Sequence, residues 1–209
     1  MKIEVREDKV LIEGYVNAIE RFSKPLFSPI GRFKERICKG AFNKALNRND
    51  DVKILLNHDW NRMLGGTKDG NLELNEDNIG LRARAEITDS EVIDKAKRGD
   101  LVGWSFGFSD VDGAVVTGEE KGIPTRDLTD LNLYEVSILD RTRTPAYDGT
   151  LLEARADGEV IQFRELDNNE PAKVEIIREE PKPEPEPEKP HEEIDYSKFD
   201  NEIKAMKGN

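Results

Sequence analysis

Gly99-Asp100-Leu101-Val102-Gly103-Trp104-Ser105-Phe106-Gly107-Phe108 alternates large apolar residues with small ones. That period of two is the pattern of a short β-strand, whose successive side chains face opposite ways. Trp104, Phe106 and Phe108 then share one face and Ser105 and Gly107 the other. The aromatic face fits a core. The small face holds a hydroxyl on rigid backbone, beside a glycine that leaves room for a second chain. A packed strand with a small residue where space is tight explains the same pattern, so this stretch alone decides the fold and not the chemistry.

Working outward, the chain before this strand is rich in further strands. Lys2–Val5 and Val10–Ala18 alternate around the polar turn Arg6-Glu7-Asp8-Lys9 and read as a hairpin. Ile19–Lys34 carries Pro25, Pro29 and Gly31 and reads as a long loop. Gly40–Leu46 reads as a short helix with Phe42, Ala45 and Leu46 on one face. Val52–Leu56 is an apolar strand running into Asn57-His58-Asp59-Trp60, and Leu72–Leu74 and Leu81–Ile87 make two more strands. Thr88 and Glu91 have the spacing of a capping box ahead of a helix over Ser90–Arg98, which Gly99 ends. After the Ser105 strand, Val111–Thr117 turns back, and Leu131–Leu139 is a further strand with Glu135 inside it. Seven or eight short strands and two helices predict a mainly β domain, an antiparallel barrel or sandwich with helices packed outside.

The 209 residues carry a formal net charge of -12. Sixteen acidic and eight basic residues lie from Ala156 onward, so that tail holds -8 and the body -4. No basic stripe marks a nucleic-acid partner. No apolar run approaches the length of a membrane span, which needs about 18 residues. Glu180–Pro190 alternates proline with charge and reads as extended and solvated. Tyr196, Phe199, Ile203 and Met206 form one apolar stripe on a short terminal helix. The expected organisation is a folded body over 1–155, an acidic disordered linker over 156–195 and an amphipathic helix over 196–209 that docks into a partner.

Cys38 is the only cysteine and His58 and His191 the only histidines. A single thiol forms no intramolecular disulfide, and one histidine among scattered carboxylates gives no metal-ligand spacing. Cys38, in Arg36-Ile37-Cys38-Lys39-Gly40, reads as a filler. His191 falls within the proline-rich tail, which leaves His58 as the histidine of the fold. A serine needs a base to become a nucleophile near neutral pH, and the base gains from an acid that fixes its tautomer. Ser105, His58 and Glu135 supply that set. Glu135 stands out as a charge within Leu133-Tyr134-Glu135-Val136-Ser137-Ile138, sharing a face with Leu133 and Ser137. Asp59 competes as the orienting acid, and a structural ion pair is the plain alternative for Glu135.

In order along the chain come Gly14-Tyr15-Val16, Ile37-Cys38-Lys39-Gly40-Ala41-Phe42, Leu56-Asn57-His58-Asp59, Leu64-Gly65-Gly66-Thr67 and Gly80-Leu81. Trp104-Ser105-Phe106-Gly107-Phe108, Glu135-Val136-Ser137-Ile138 and Thr144-Pro145-Ala146-Tyr147 follow. Together, over about Gly14–Thr150, they resemble the prohead (capsid maturation) serine proteases of tailed bacteriophages, a family distantly similar to the assemblin-like herpesvirus assembly proteases. The resemblance implies a closed or nearly closed antiparallel β-barrel ringed by a few α-helices, and a serine endopeptidase with nucleophile Ser105 and base His58, and with Glu135 as third member by the Glu-Val-Ser pattern. It makes 1–155 the catalytic domain and 196–209 a docking or propeptide element, so deleting Ala156–Asn209 is expected to leave peptidase activity and lower co-assembly with capsid protein. Its implied substrates are the phage major capsid protein and scaffold, and the protease itself, within the prohead assembling in the host bacterial cytoplasm. No cofactor or metal is expected, nor a nucleic-acid or membrane partner, and a homodimer is compatible with the resemblance. Asp140-Arg141-Thr142-Arg143 departs from the family pattern and offers a cation for the oxyanion, with backbone amides near Gly103–Phe106 as the other donors. Two other classes fit the residues. One is a catalytically silent β-barrel that binds capsid protein. The other is a non-peptidase hydrolase, although Gly103-Trp104-Ser105-Phe106-Gly107 lies on a strand and not at a strand-to-helix elbow.

Overall fold

The computed structural model describes residues 1–28, 31–142, 151–154, 160–165 and 173–176. Its strands are β1 (Lys2–Val5), β2 (Val10–Ala18), β3 (Leu26–Ser28), β4 (Gly31–Ile37), β5 (Lys53–Leu56), β6 (Asp59–Gly66), β7 (Leu72–Glu76) and β8 (Gly80–Ile87). They continue with β9 (Leu101–Asp110), β10 (Val115–Glu120), β11 (Ile123–Leu128), β12 (Leu131–Asp140), β13 (Leu151–Ala154), β14 (Val160–Glu165) and β15 (Lys173–Ile176). The helices are α1 (Ala41–Arg48) and α2 (Ser90–Arg98). A mainly β domain with two helices is as the sequence predicts.

The closed barrel is not. The strands form three open sheets, in the orders β15-β1-β2-β8-β7, β10-β11-β4-β3 and β13-β14-β9-β12-β5-β6. Closure requires the two edge strands of a sheet to bond to each other. Here the six-stranded sheet ends on β13 and β6 and the five-stranded sheet on β15 and β7, with no pairing between those edges among the described residues. The pairing is also mixed: β5 runs parallel to β12, β4 to β11 and β1 to β15. Each parallel pair joins segments far apart in sequence, so chain neighbours do not simply follow one another around a wall.

Alternation on both large sheets makes the core. Ile3, Ile12 and Val16 from β1 and β2, and Leu81, Ala83, Ala85 and Ile87 from β8, share one apolar cluster with Trp104, Phe106 and Phe108 of β9. The aromatic face of the Ser105 strand is therefore core, as expected. Phe42 of α1 meets Phe106 edge-on, ring centroids 5.4 Å apart. The start of α1 has no side-chain cap of its own. Glu76 at the end of β7 fills that place, its carboxylate accepting from the amides of Gly40 at 2.6 Å and Asn43 at 2.9 Å. An acidic group there satisfies orphan donors and complements the helix dipole. For α2 the cap is Asp89, accepting from Val92 N at 3.0 Å, and not the Thr88 box read from the sequence. Asp89 lies immediately before the first helical residue, where its short carboxylate reaches that amide.

Several strands lie where the sequence reads as loop. β3 falls within Ile19–Lys34 and β4 begins there, and β6, β10 and β11 carry too much charge, glycine or proline to show a clean period of two. Two more, β14 and β15, lie beyond Arg155, within the span read as an acidic linker. β14 pairs antiparallel with β9 (Gln162↔Phe108 to Glu165↔Ser105), and β15 pairs with β1. The compact unit runs from Met1 to Arg178. The proline-rich run and the 196–209 helix lie outside the described residues.

Ile161 and Phe163 of β14 are buried against the core sheet, each worth about 1.5–3 kcal/mol of apolar burial. We propose that deletion from Ala156, expected to leave peptidase activity, costs stability because it removes these residues. A chain ending at Arg155 loses β14 and should unfold at least several degrees below the full chain. A chain ending at Arg178 should match the full chain within about 2 °C, as followed by circular dichroism.

Candidate active site

β12 lies between β9 and β5, and that order assembles the site from three distant segments. Ser105 and Ser137 are cross-strand partners on β9 and β12, and β5 runs beside β12 with Leu56 opposite Ile138. One residue past Leu56 the chain reverses into β6 through Asn57 and His58 alone. Both have left-handed backbone, φ 57° and 60°. Two central residues at positive φ, with strands bonded on either side, are the geometry of the tight hairpin turn that prefers Asn-Gly. Asparagine fits the first position. Histidine in the second carries the Cβ that glycine lacks, and that conformation is strained.

The turn is pinned to the end of β12. Asn57 N donates to the Ile138 carbonyl at 3.0 Å, and Asp140 N donates to Asn57 Oδ1 at 3.0 Å. His58 N donates to Ser137 Oγ at 3.0 Å. The same Ser137 hydroxyl donates to Glu135 Oε2 at 2.6 Å, and Glu135 Oε1 lies 2.8 Å from His58 Nδ1. Glu135 and Ser137 share a face of β12, as strand alternation requires. Glu135 is fully buried, and no lysine or arginine among the described residues pairs with it. His58 and Ser137 are thus the groups that satisfy its carboxylate.

Gly107 explains how a carboxylate fits there. A Cβ at that position would stand 2.5 Å from Glu135 Oε1 and 2.9 Å from the Phe163 ring. Only hydrogen in place of a side chain gives Glu135 its space. Phe163 of β14 lies over the His58 ring, centroids 4.1 Å apart. His58 Nε2 is buried and has no hydrogen-bond partner among the described residues. An imidazole whose Nδ1–H is held by a carboxylate presents Nε2 as a bare acceptor, the form a general base requires.

Ser105, the third residue singled out in the sequence, has no exposed surface. Its Oγ donates to the Arg164 carbonyl of β14 at 2.9 Å and not to His58. The structure joins His58 and Glu135 directly and places Ser105 one strand from Glu135, its hydroxyl occupied by β14. Asp59 turns the other way, accepting from Asn61 at 2.8 Å. Arg141 is exposed and donates to the Gly99 carbonyl at 3.3 Å, while Arg143 lies outside the described residues. Burial raises the pKa of the Cys38 thiol, which suits a filler. Ser137, Gly107 and β14 are the participants the motif reading missed. The first two are adjacent to known candidates at a spacing of two, whereas nothing in the acidic span pointed to the third.

Asp140 locks this end of β12 from the other side. Burial opposes its ionisation, yet Lys95 at 2.8 Å, Thr142 and Asn57 outweigh that and depress its pKa far below the ordinary 3.8. A depressed carboxyl contributes stability that is complete above the unfolded pKa, about 3.9, and is lost as pH falls below it. Asp140→Asn should therefore lower stability at neutral pH by about 1–3 kcal/mol and flatten the loss of stability below about pH 4. Urea unfolding at a series of pH values measures both.

Among the described residues, no group of three or more His, Cys, Asp and Glu side chains is placed to hold a metal ion, and no helix is long and apolar enough to cross a membrane. No curated protein and no solved structure matches the chain. The family model described as caudovirus prohead serine protease matches residues 1–162, which takes in the whole of β1 to β12 and the His58, Ser105 and Glu135 positions. By that match over more than three-quarters of its 209 residues, the chain belongs to the caudovirus prohead serine protease family.

Proposed function

We propose that this protein is the endopeptidase of capsid maturation, with Ser105 as nucleophile, His58 as general base and Glu135 as the residue that orients it. The observation that carries this reading is the Glu135–His58 hydrogen bond at 2.8 Å with Nε2 left unpartnered. A buried carboxylate on one ring nitrogen and a free acceptor on the other is the form in which imidazole removes a proton from a hydroxyl.

The chemistry follows from that assignment. With Ser105 Oγ released from the Arg164 carbonyl, Nε2 takes its proton as Oγ bonds to the carbonyl carbon of a peptide. The imidazolium, steadied by Glu135, gives the proton to the amine as the C–N bond breaks. Water, deprotonated by the same nitrogen, then splits the acyl ester and restores the serine. Ser137 acts through Glu135 and the His58 amide and is a positioning residue. Substrates are the major capsid protein and scaffold, with cleavage of the protease itself, inside the assembling prohead in the host cell.

The occupied hydroxyl of Ser105 favours a second reading, an assembly factor that binds capsid protein without cutting it. Co-expression with the cognate capsid protein separates the two. The wild-type chain should generate new N-termini on the capsid protein, and Ser105→Ala, folded equally well, should generate none. Glu135→Gln, which keeps the shape but loses the charge, should reduce cleavage by about 100-fold or more. Identical fragments from wild type and Ser105→Ala would exclude the serine as nucleophile.

A further inference from the structure

A strand that merely completed a sheet would have no need to engage the reactive groups of the site, yet β14 engages two of them. Its Arg164 carbonyl takes the Ser105 hydroxyl at 2.9 Å, and the ring of Phe163, one residue earlier, packs at a tilt against His58. Its backbone lies antiparallel on β9 across the register Gln162↔Phe108 to Glu165↔Ser105. An extended peptide added to a sheet edge, with alternate side chains in separate pockets, is the mode by which sheets bind peptides. A carbonyl at the nucleophile is where the bond to be cut belongs.

The side chain of Arg164 occupies such a pocket. Its Nε donates to Glu35 Oε1 at 2.7 Å and its Nη2 to Oε2 at 3.0 Å, a two-pronged pair in which both residues are buried. The guanidinium also lies over the Phe108 ring, 5.1 Å from its centroid. Planar two-pronged pairing and an aromatic face are the features that select arginine over other side chains. Burying an ion pair is poor value for stability, because desolvation offsets the attraction. Around this point Glu35 and Asp110 are negative and Arg126 positive, with Arg126 paired to both at 3.1 Å and 2.5 Å. Without Arg164 the cluster is one negative charge in excess, a place for one cation.

We infer that β14 sits in the groove for the substrate strand, that Arg164 marks the residue whose carbonyl is attacked, and that Glu35 makes the enzyme cut after basic residues. The inference rests on Ser105 being the nucleophile. It adds that β14 competes with substrate for its own site.

The test uses the full chain and peptidyl diphenyl phosphonates, which phosphonylate an activated serine and release phenol. The probes differ only in the side chain corresponding to Arg164: arginine-like, leucine-like or glutamate-like. Labelling of Ser105 is followed by intact mass and peptide mapping. The arginine-like probe should react about 10- to 100-fold faster than the leucine-like one. Arg164→Gln, with the internal competitor weakened, should react faster than wild type with the same preference. Glu35→Gln should bring the two rates together, and Glu35→Lys should place the glutamate-like probe first. Ser105 labelled without a basic preference would overturn the pocket and leave the nucleophile standing. Arg164→Gln labelled no faster than wild type would overturn the competition. No labelling of Ser105 in any chain would overturn the nucleophile and the pocket together. Should Arg164→Gln fail to fold by circular dichroism, Arg164→Lys and the wild-type probe ratio decide, and equal wild-type rates are contrary.

Discussion

A carboxylate with no exposed surface must be satisfied from within the protein, and Glu135 is that carboxylate. One oxygen meets His58 Nδ1 and the other the Ser137 hydroxyl. Removing either partner would strand a buried polar group, a loss of about 1–3 kcal/mol or more for a charged one. The rest of the site is built to meet this need. Ser137 also accepts from the His58 amide, so one hydroxyl places both the acid and the backbone of the histidine. Gly107 gives the carboxylate its room from the neighbouring strand.

The fold supplies the rigidity. His58 sits in a two-residue hairpin whose second position favours glycine, and hydrogen bonds from Asn57 and Asp140 hold that strained turn against β12. β12 is itself flanked by β5 and β9, so the acid and the serine ride on adjacent strands and the histidine on the turn that leaves β5. The aromatic face of β9 anchors Ser105 from behind through Trp104, Phe106 and Phe108 in the core. A site distributed over central strands is positioned more firmly than one on loops.

Much of this was legible in the chain. Ser105 showed as the hydroxyl on the small face of an alternating strand, Glu135 as a charge within an apolar one, and His58 as the one histidine at the end of an apolar strand. The first hairpin, α2 and strands β5, β7, β8, β9 and β12 follow from periodicity, because apolar residues bury on one side. The barrel did not follow, because a period of two says which face is buried and nothing about which strands are neighbours. β4–β11 and β5–β12 pair in parallel across long stretches of chain that no local pattern records. β14 was hidden for a different reason. Val160–Glu165 is too short, and too close to acidic and proline-rich sequence, for its three apolar residues to stand out. Its role depends on Glu35, 129 positions away.

The account stands on His58 carrying its proton on Nδ1, toward Glu135, with Nε2 unprotonated. Nitrogen-15 spectra of the histidine rings read that tautomer directly. At about pH 8, where imidazole is normally neutral, the fold's histidine should show the Nδ1–H form, its proton strongly shifted downfield, and Glu135→Gln should remove that signal. A neutral His58 protonated on Nε2 in the wild-type chain would contradict the account.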